Sequence, residues 1–201
     1  PFGTTAINAS SKGSGSGGNV TLLSRAGATT ILGDVDTSSA GSSGGAIAAA
    51  SAGDNGLYSI LMGNLNTSGS AAGGSVLVVS QNSMGTAIGT ITTQASGAGG
   101  VGGAVGIAAL GALEVGNIDT TNTAASASGG AKSGSVFLSS GSTAIAAILA
   151  GDINAYNSAN GSATGQAILI ASGLITSGTI TTAAGNSSVN PLHISLTTSI
   201  S

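Results

Sequence analysis

Six carboxylates, three cationic side chains and one histidine are all that this chain of 201 residues offers for acid–base or metal chemistry. The carboxylates are Asp34, Asp36, Asp54, Glu114, Asp119 and Asp152; the cations are Lys12, Arg25 and Lys132; the histidine is His193. Clustered carboxylates with a bound cation and a base could cleave an acidic polysaccharide. General acid–base work needs partners whose pKa values are tuned apart. Asp34 and Asp36 are close in sequence, but their surroundings are rich in Asn and Thr and the three cations are scattered. The reading is therefore not an enzyme, with no catalytic residue. Zinc takes three or four ligands, and His193 lies alone between Leu192 and Ile194, as an exposed strand residue would. Asp34, Asp36 and Asp119 are the calcium candidates, although the G-G-x-G-x-D calcium repeat is absent. No cofactor is expected. With no cysteine, disulfides and thiolate metal sites are excluded.

The composition narrows the classes further. Charged residues make up 4% and aromatics 2%, while glycine reaches 36 residues. A disordered segment would be charged and poor in branched apolar residues; this chain has a mean hydropathy of +0.46 and many Ile, Val and Leu. Collagen is excluded because glycine follows no three-residue period. A net charge of −3 argues against nucleic acid, which is held by several Lys and Arg on phosphates. No apolar run approaches the roughly 20 residues of a membrane helix.

What must position any functional side chain is a repeat. Branched apolar residues at Ile7, Val35, Leu65, Ile91, Ile118, Ile153 and Ile180 sit at the centres of near-identical pentapeptides such as GDVDT, GNLNT and GNIDT. A second motif, GG-x-V-x-L in its fullest form, is anchored on Val20, Ile47, Val76, Val105, Val136 and Ala167. The two motifs alternate, and each recurs at a period near 29 residues. Both alternate apolar and polar residues with period two, the signature of strands. Short strands recurring in fixed order define a solenoid.

The expected fold is all-β: a parallel β-helix of about six coils of 27–31 residues, plus a half coil at each end. Residues 1–201 form one domain, with 1–17 the N-terminal half coil, 18–182 the repeat coils and 183–201 the C-terminal half coil. The GG-x-V-x-L strand makes one wall, segments such as GATTIL at 27–32 a second, and the pentapeptide a third. Asp34, Asn64, Thr90, Asn117, Asp152 and Thr179 should stack on the outer face, beside Asp36, Asn66, Thr92, Asp119, Asn154 and Thr181. Within each column no two adjacent coils both carry Asp, which avoids like-charge repulsion.

This grammar, G-[DN]-[IV]-[DNT]-[TA] followed by a Gly/Ser loop and G-G-x-[VI]-x-[LVI], resembles the β-helical repeat regions of filamentous haemagglutinin-like bacterial exoproteins, including those exported by two-partner secretion. The resemblance covers residues 4–182. It implies an extracellular or cell-surface location and a structural or adhesive role, with cell-surface groups or glycans as partners.

The ends carry a further expectation. The segment at 1–10 reads as the back half of a coil and that at 190–201 as the front half. Steps from a wall-one anchor to the next pentapeptide anchor run from 13 to 18 residues, and joining Ile194 of one copy to Ile7 of another spans 14. The expected partner is thus another copy, added head to tail by strand pairing into an extracellular filament. Phe2, Ile7, Leu192, Ile194 and Leu196 are the expected contact. The alternatives are a segment of a long surface adhesin and an ice-binding solenoid carried by the threonine ladder Thr37, Thr67, Thr93 and Thr120. Glycan acceptor sequences occur at Asn8, Asn19, Asn66, Asn160 and Asn186.

Overall fold

Dense β-branched residues and period-two alternation disfavour helix and favour short extended segments. The structure, a computed structural model, describes residues 6–31, 33–53, 56–124, 131–157, 164–182 and 194–198. Its regular elements are all strands, arranged in three parallel sheets as a β-solenoid. The first wall holds Val20–Ser24, Ile47–Ser51, Val76–Ser80, Val105–Ala109, Val136–Ser140, Ala167–Ala171 and Ile194–Thr198. The second holds Thr29–Ile31, Tyr58–Met62, Gly85–Ile88, Leu113–Val115, Ile148–Ala150 and Ile175–Ser177. The third holds the two-residue strands Ile7–Asn8, Val35–Asp36, Leu65–Asn66, Ile91–Thr92, Ile118–Asp119, Ile153–Asn154 and Ile180–Thr181.

Register follows the sequence repeat residue by residue. Ile7 pairs with Val35, then Leu65, Ile91, Ile118, Ile153 and Ile180 in one unbroken column. Val20, Ile47, Val76, Val105, Val136, Ala167 and Ile194 form the equivalent column in the first wall. The columns from Ile7 to Ile180 and from Val20 to Ala167 point inward. Val35, Ile91, Ile118 and Ile153 are fully buried and meet Ile60, Leu113 and Ile148 of the second wall in one apolar core. Each fully buried Ile or Leu contributes about 1.5–3 kcal/mol through removal from water.

The threonine ladder also points inward. Thr37, Thr67, Thr93 and Thr120 are fully buried. Each hydroxyl donates to the carbonyl of the second glycine of the next GG motif: Thr37 to Gly45 (2.6 Å), Thr67 to Gly74 (2.5 Å), Thr93 to Gly103 (2.7 Å) and Thr120 to Gly134 (2.8 Å). In return Gly45, Gly74 and Gly103 each donate N–H to the threonine carbonyl at 2.7 Å. This latch closes the corner between the third and first walls. Because it faces the core, the ladder presents no surface to ice.

The last full corner substitutes a different latch. Ala155 stands where the threonine would, and Ser133 stands where the first glycine would. The Ser133 hydroxyl donates to Ala155 O (2.7 Å) and accepts from Gly165 N (2.5 Å). It bridges the pair that elsewhere bonds directly, and the direct Gly165 N to Ala155 O distance opens to 3.3 Å.

The glycine pair serves close approach, not left-handed backbone. Positive φ occurs at Gly27 and Gly56 among the described residues, and not in the pairs. A Cβ on Gly44, Gly73 or Gly102 would run into the threonine carbonyl of the next coil, and one on Gly45, Gly74 or Gly103 into the glycine carbonyl of the coil before. The corner glycines therefore set the spacing between coils.

A second set of buried hydroxyls lacks partners. The second wall has a bulge between Tyr58 and Ile60 that tucks Ser59 into the interior. Ser59, Ser80 and Thr86 each bury a hydroxyl that makes no hydrogen bond. Thr86 stands in its column between the apolar Ile60 and Leu113. The two threonine classes should therefore respond oppositely to the same substitution. Thr86→Val is expected to raise unfolding free energy by about 1 kcal/mol, since an unsatisfied buried hydroxyl costs about 1–3 kcal/mol. Thr93→Val is expected to lower it by about 1 kcal/mol, the net value of a made hydrogen bond. Urea unfolding of both variants checks the pair; equal signs would refute the assignment.

Candidate functional site

The polar face of the third wall gathers most of the carboxylates. Its outer column comprises Asp34, Asn64, Thr90, Asn117, Asp152 and Thr179, all exposed. The side-chain oxygens in this column bond from coil to coil, but to backbone. Asp34 Oδ1 accepts from Asn64 N (3.2 Å), Asn64 Oδ1 from Thr90 N (2.9 Å), Asn117 Oδ1 from Asp152 N (2.9 Å) and Asp152 Oδ1 from Thr179 N (2.8 Å). The glycine that opens each pentapeptide makes room for this oxygen: a Cβ on Gly89, Gly151 or Gly178 would strike Asn64, Asn117 or Asp152 Oδ1.

The neighbouring column behaves differently. It closes turns within its own coil. Asp36 Oδ1 accepts from Ser38 N (3.0 Å), Asn66 Oδ1 from Ser68 N (3.1 Å) and Asp119 Oδ1 from Thr121 N (3.0 Å). These are the two-residue turns that Asp and Asn side chains form readily. Asp119 Oδ2 also accepts from Gln94 Nε2 (2.6 Å), a side-chain link from coil to coil.

The calcium candidates Asp34, Asp36 and Asp119 are thus engaged by backbone amides. Among the described residues no three His, Cys, Asp or Glu gather as a metal cluster. Lys12 and Asp36 line a shallow polar hollow of about 430 Å³ with Ser10, Asn66 and Gln94. Arg25 lies in a different hollow beside Leu23 and Gln81, and Glu114 on the second wall beside Leu149. Lys132 is paired by backbone in a rung with Val101. Among the described residues the three cations thus lie apart from one another, and Lys12 shares a hollow with a carboxylate, Asp36. Asp54 and His193 lie outside the described residues.

The expected contact residues divide. Ile7 is half-buried against the core and pairs with Val35. Ile194 and Leu196 belong to a strand that pairs with Ala167–Ala171 in the expected register, Ile194 to Ala167 and Leu196 to Leu169. Phe2 and Leu192 lie outside the described residues. Of the glycan acceptors, Asn8 and Asn19 are exposed. Asn8 Oδ1 accepts from Ser10 N (2.9 Å) and Oγ (2.7 Å), and Asn19 Oδ1 from Ala46 N (2.8 Å). Asn66 is half-buried, and Asn160 and Asn186 lie outside the described residues.

One ladder escaped the sequence reading. Stretches expected as variable corner loops begin with a further stacked rung: Ser11, Ser39, Gly69, Ala95, Asn122 and Asn157 pair in series. Asn122 and Asn157 are fully buried there. Asn122 Nδ2 donates to Gly100 O (2.5 Å) and its Oδ1 accepts from Ala124 N (2.8 Å), while Asn157 Nδ2 donates to Ala131 O (2.8 Å). The signal was available: every member lies four residues after its pentapeptide anchor.

Fold and face together define a repeat protein of the parallel β-solenoid class. Comparison with protein-family models, with curated proteins and with solved structures finds no match to this chain. The likeness to haemagglutinin-type exoproteins therefore reaches the β-helical repeat fold and is carried no further by any match.

Proposed function

We propose that this chain is a structural rod of an extracellular filament, extended head to tail by parallel strand pairing at its coil edges. The observation that carries the reading is the openness of the terminal strands. Ile194–Thr198 pairs with Ala167–Ala171 on one side and has no strand on the other among the described residues. Ile7–Asn8 and Val20–Ser24 are the outermost strands at the opposite end. An open edge is a template for another chain, and a head-to-tail contact of this kind propagates instead of closing. The carboxylates Asp34, Asp36, Asp119 and Asp152 hold backbone amides, the use a structural wall would make of them.

Electron microscopy of the purified protein tests this. Unbranched fibres are the expected result, and Ile194→Asp should leave short rods with an unchanged β circular-dichroism spectrum. Single rods from the unaltered protein would refute end-to-end growth and favour a rod segment within a long surface adhesin. Fibres that persist in Ile194→Asp would move the contact elsewhere.

A further inference from the structure

The outer face of the first wall is apolar, and it has a built-in self-complementarity. No charged residue occurs in any of its seven strands. Two outward columns run up it. In the first, Thr21, Ala48, Leu77, Gly106, Phe137 and Ile168 are paired in that order. Leu77 is 55% exposed and Phe137 40%, and each stands beside a notch left by a small residue. Gly106 is not demanded by the fold: a Cβ there would meet only Leu77 Cδ1, at an ordinary 3.6 Å. A strand-interior glycine loosens its strand and marks a place where another backbone approaches closely. The corner glycines have an internal reason to be glycine, and Gly106 does not.

We propose that this wall binds a second copy of the same chain face to face, about a two-fold axis parallel to the strands and midway between the Leu77 and Gly106 rungs. Such an axis reverses the order of coils and keeps each column opposite itself. Leu77 then enters the Gly106 notch of the second copy, and Phe137 stands over its Ala48. In the other column Val79 meets Ala108 and Ala50 meets Ser139. A large residue faces a small one at the Leu77, Phe137 and Val79 rungs, two small residues meet at Ala50 and Ser139, and Leu23 meets Ile170 at the margin of the contact, within sheets packed at about 10 Å. A two-fold axis along the stack would instead keep the coil order and exchange the columns, setting Leu77 against Val79. Seven strands about 4.8 Å apart and five residues wide give roughly 500 Å² on each copy. The total of about 1,000 Å² meets the lower bound for a specific contact, and the adjacent exposed Leu110 and Leu174 enlarge it. The inference is independent of the filament reading; in a filament, the same contact would join two antiparallel rods.

Sedimentation across about 1 μM to 1 mM protein is the test, because mass action separates the assemblies. A two-fold contact closes at two chains, whereas an end contact grows without limit. The expected result is a closed dimer that weakens roughly tenfold or more in Gly106→Lys and in Leu77→Thr. Both positions face outward, so both variants keep the β spectrum. A single-chain mass at every concentration would overturn the proposal. So would a dimer equally strong in both variants. Open-ended growth unaffected by either variant would also overturn it, while upholding the end-to-end contact.

Discussion

Gly103→Ala is expected to destabilise the solenoid by at least about 3 kcal/mol, at the upper end of what overpacking costs. The added Cβ would collide with the carbonyl oxygen of Gly74 and lie 2.7 Å from its carbon. Those atoms are backbone in the coil below, so no rotamer change relieves the clash. Relief requires neighbouring coils to part, which weakens the bonds between them, including Val76 N to Ala104 O (2.9 Å) and Gly73 N to Val101 O (2.9 Å). Gly106→Ala supplies the internal control. There the new methyl has ordinary contact with one side-chain atom, and the strand gains from a residue with less unfolded-state entropy, by about 0.5–1 kcal/mol. Two Gly→Ala changes in one coil should thus move urea midpoints in opposite directions. A fall for both, or no fall for Gly103→Ala, would refute close coil approach as the reason for the GG motif.

The second large effect concerns the central column. Ile118 is fully buried between Ile91 and Ile153. Ile118→Ala should cost about 2–5 kcal/mol through lost transfer energy and the cavity left behind. Ile118→Asp should cost more than about 4 kcal/mol, because the column offers no cation or spare donor to a buried carboxylate. In a solenoid, stability is a sum of coil terms and nearest-neighbour interfaces. Ile118 belongs to two such interfaces, whereas Ile7 has one paired neighbour among the described strands and is only half-buried. The same Ala substitution at Ile7 should therefore cost less than half as much. Equal costs at the two positions, measured by chemical denaturation, would mean that the coils do not share one continuous core.

These two positions also mark what could be read directly. The column from Ile7 to Ile180 was legible because strand periodicity and repeat spacing act on adjacent residues and equivalent coils. A parallel stack turns sequence equivalence into spatial adjacency. The same logic put Thr37, Thr67, Thr93 and Thr120 on the face of the buried Ile and Val, where they are found. The buried Asn122 and Asn157 were missed because the repeat was followed only as far as its apolar anchor, and polarity four residues on looked like loop.

By itself the sequence determined the all-β solenoid, the identity of its three walls and the register of its inward columns, since these depend only on local alternation and on a period. Tertiary structure decided what the polar and glycine positions do. Whether an Asp oxygen caps its own turn, as Asp36 does, or the coil above, as Asp34 does, depends on which amide the corner leaves unpaired. Whether a glycine is needed for φ, for space or for neither depends on atoms about 29 residues away. Gly103 and Gly106 look alike in one dimension. Only in the stacked coils does one face a carbonyl and the other an open surface.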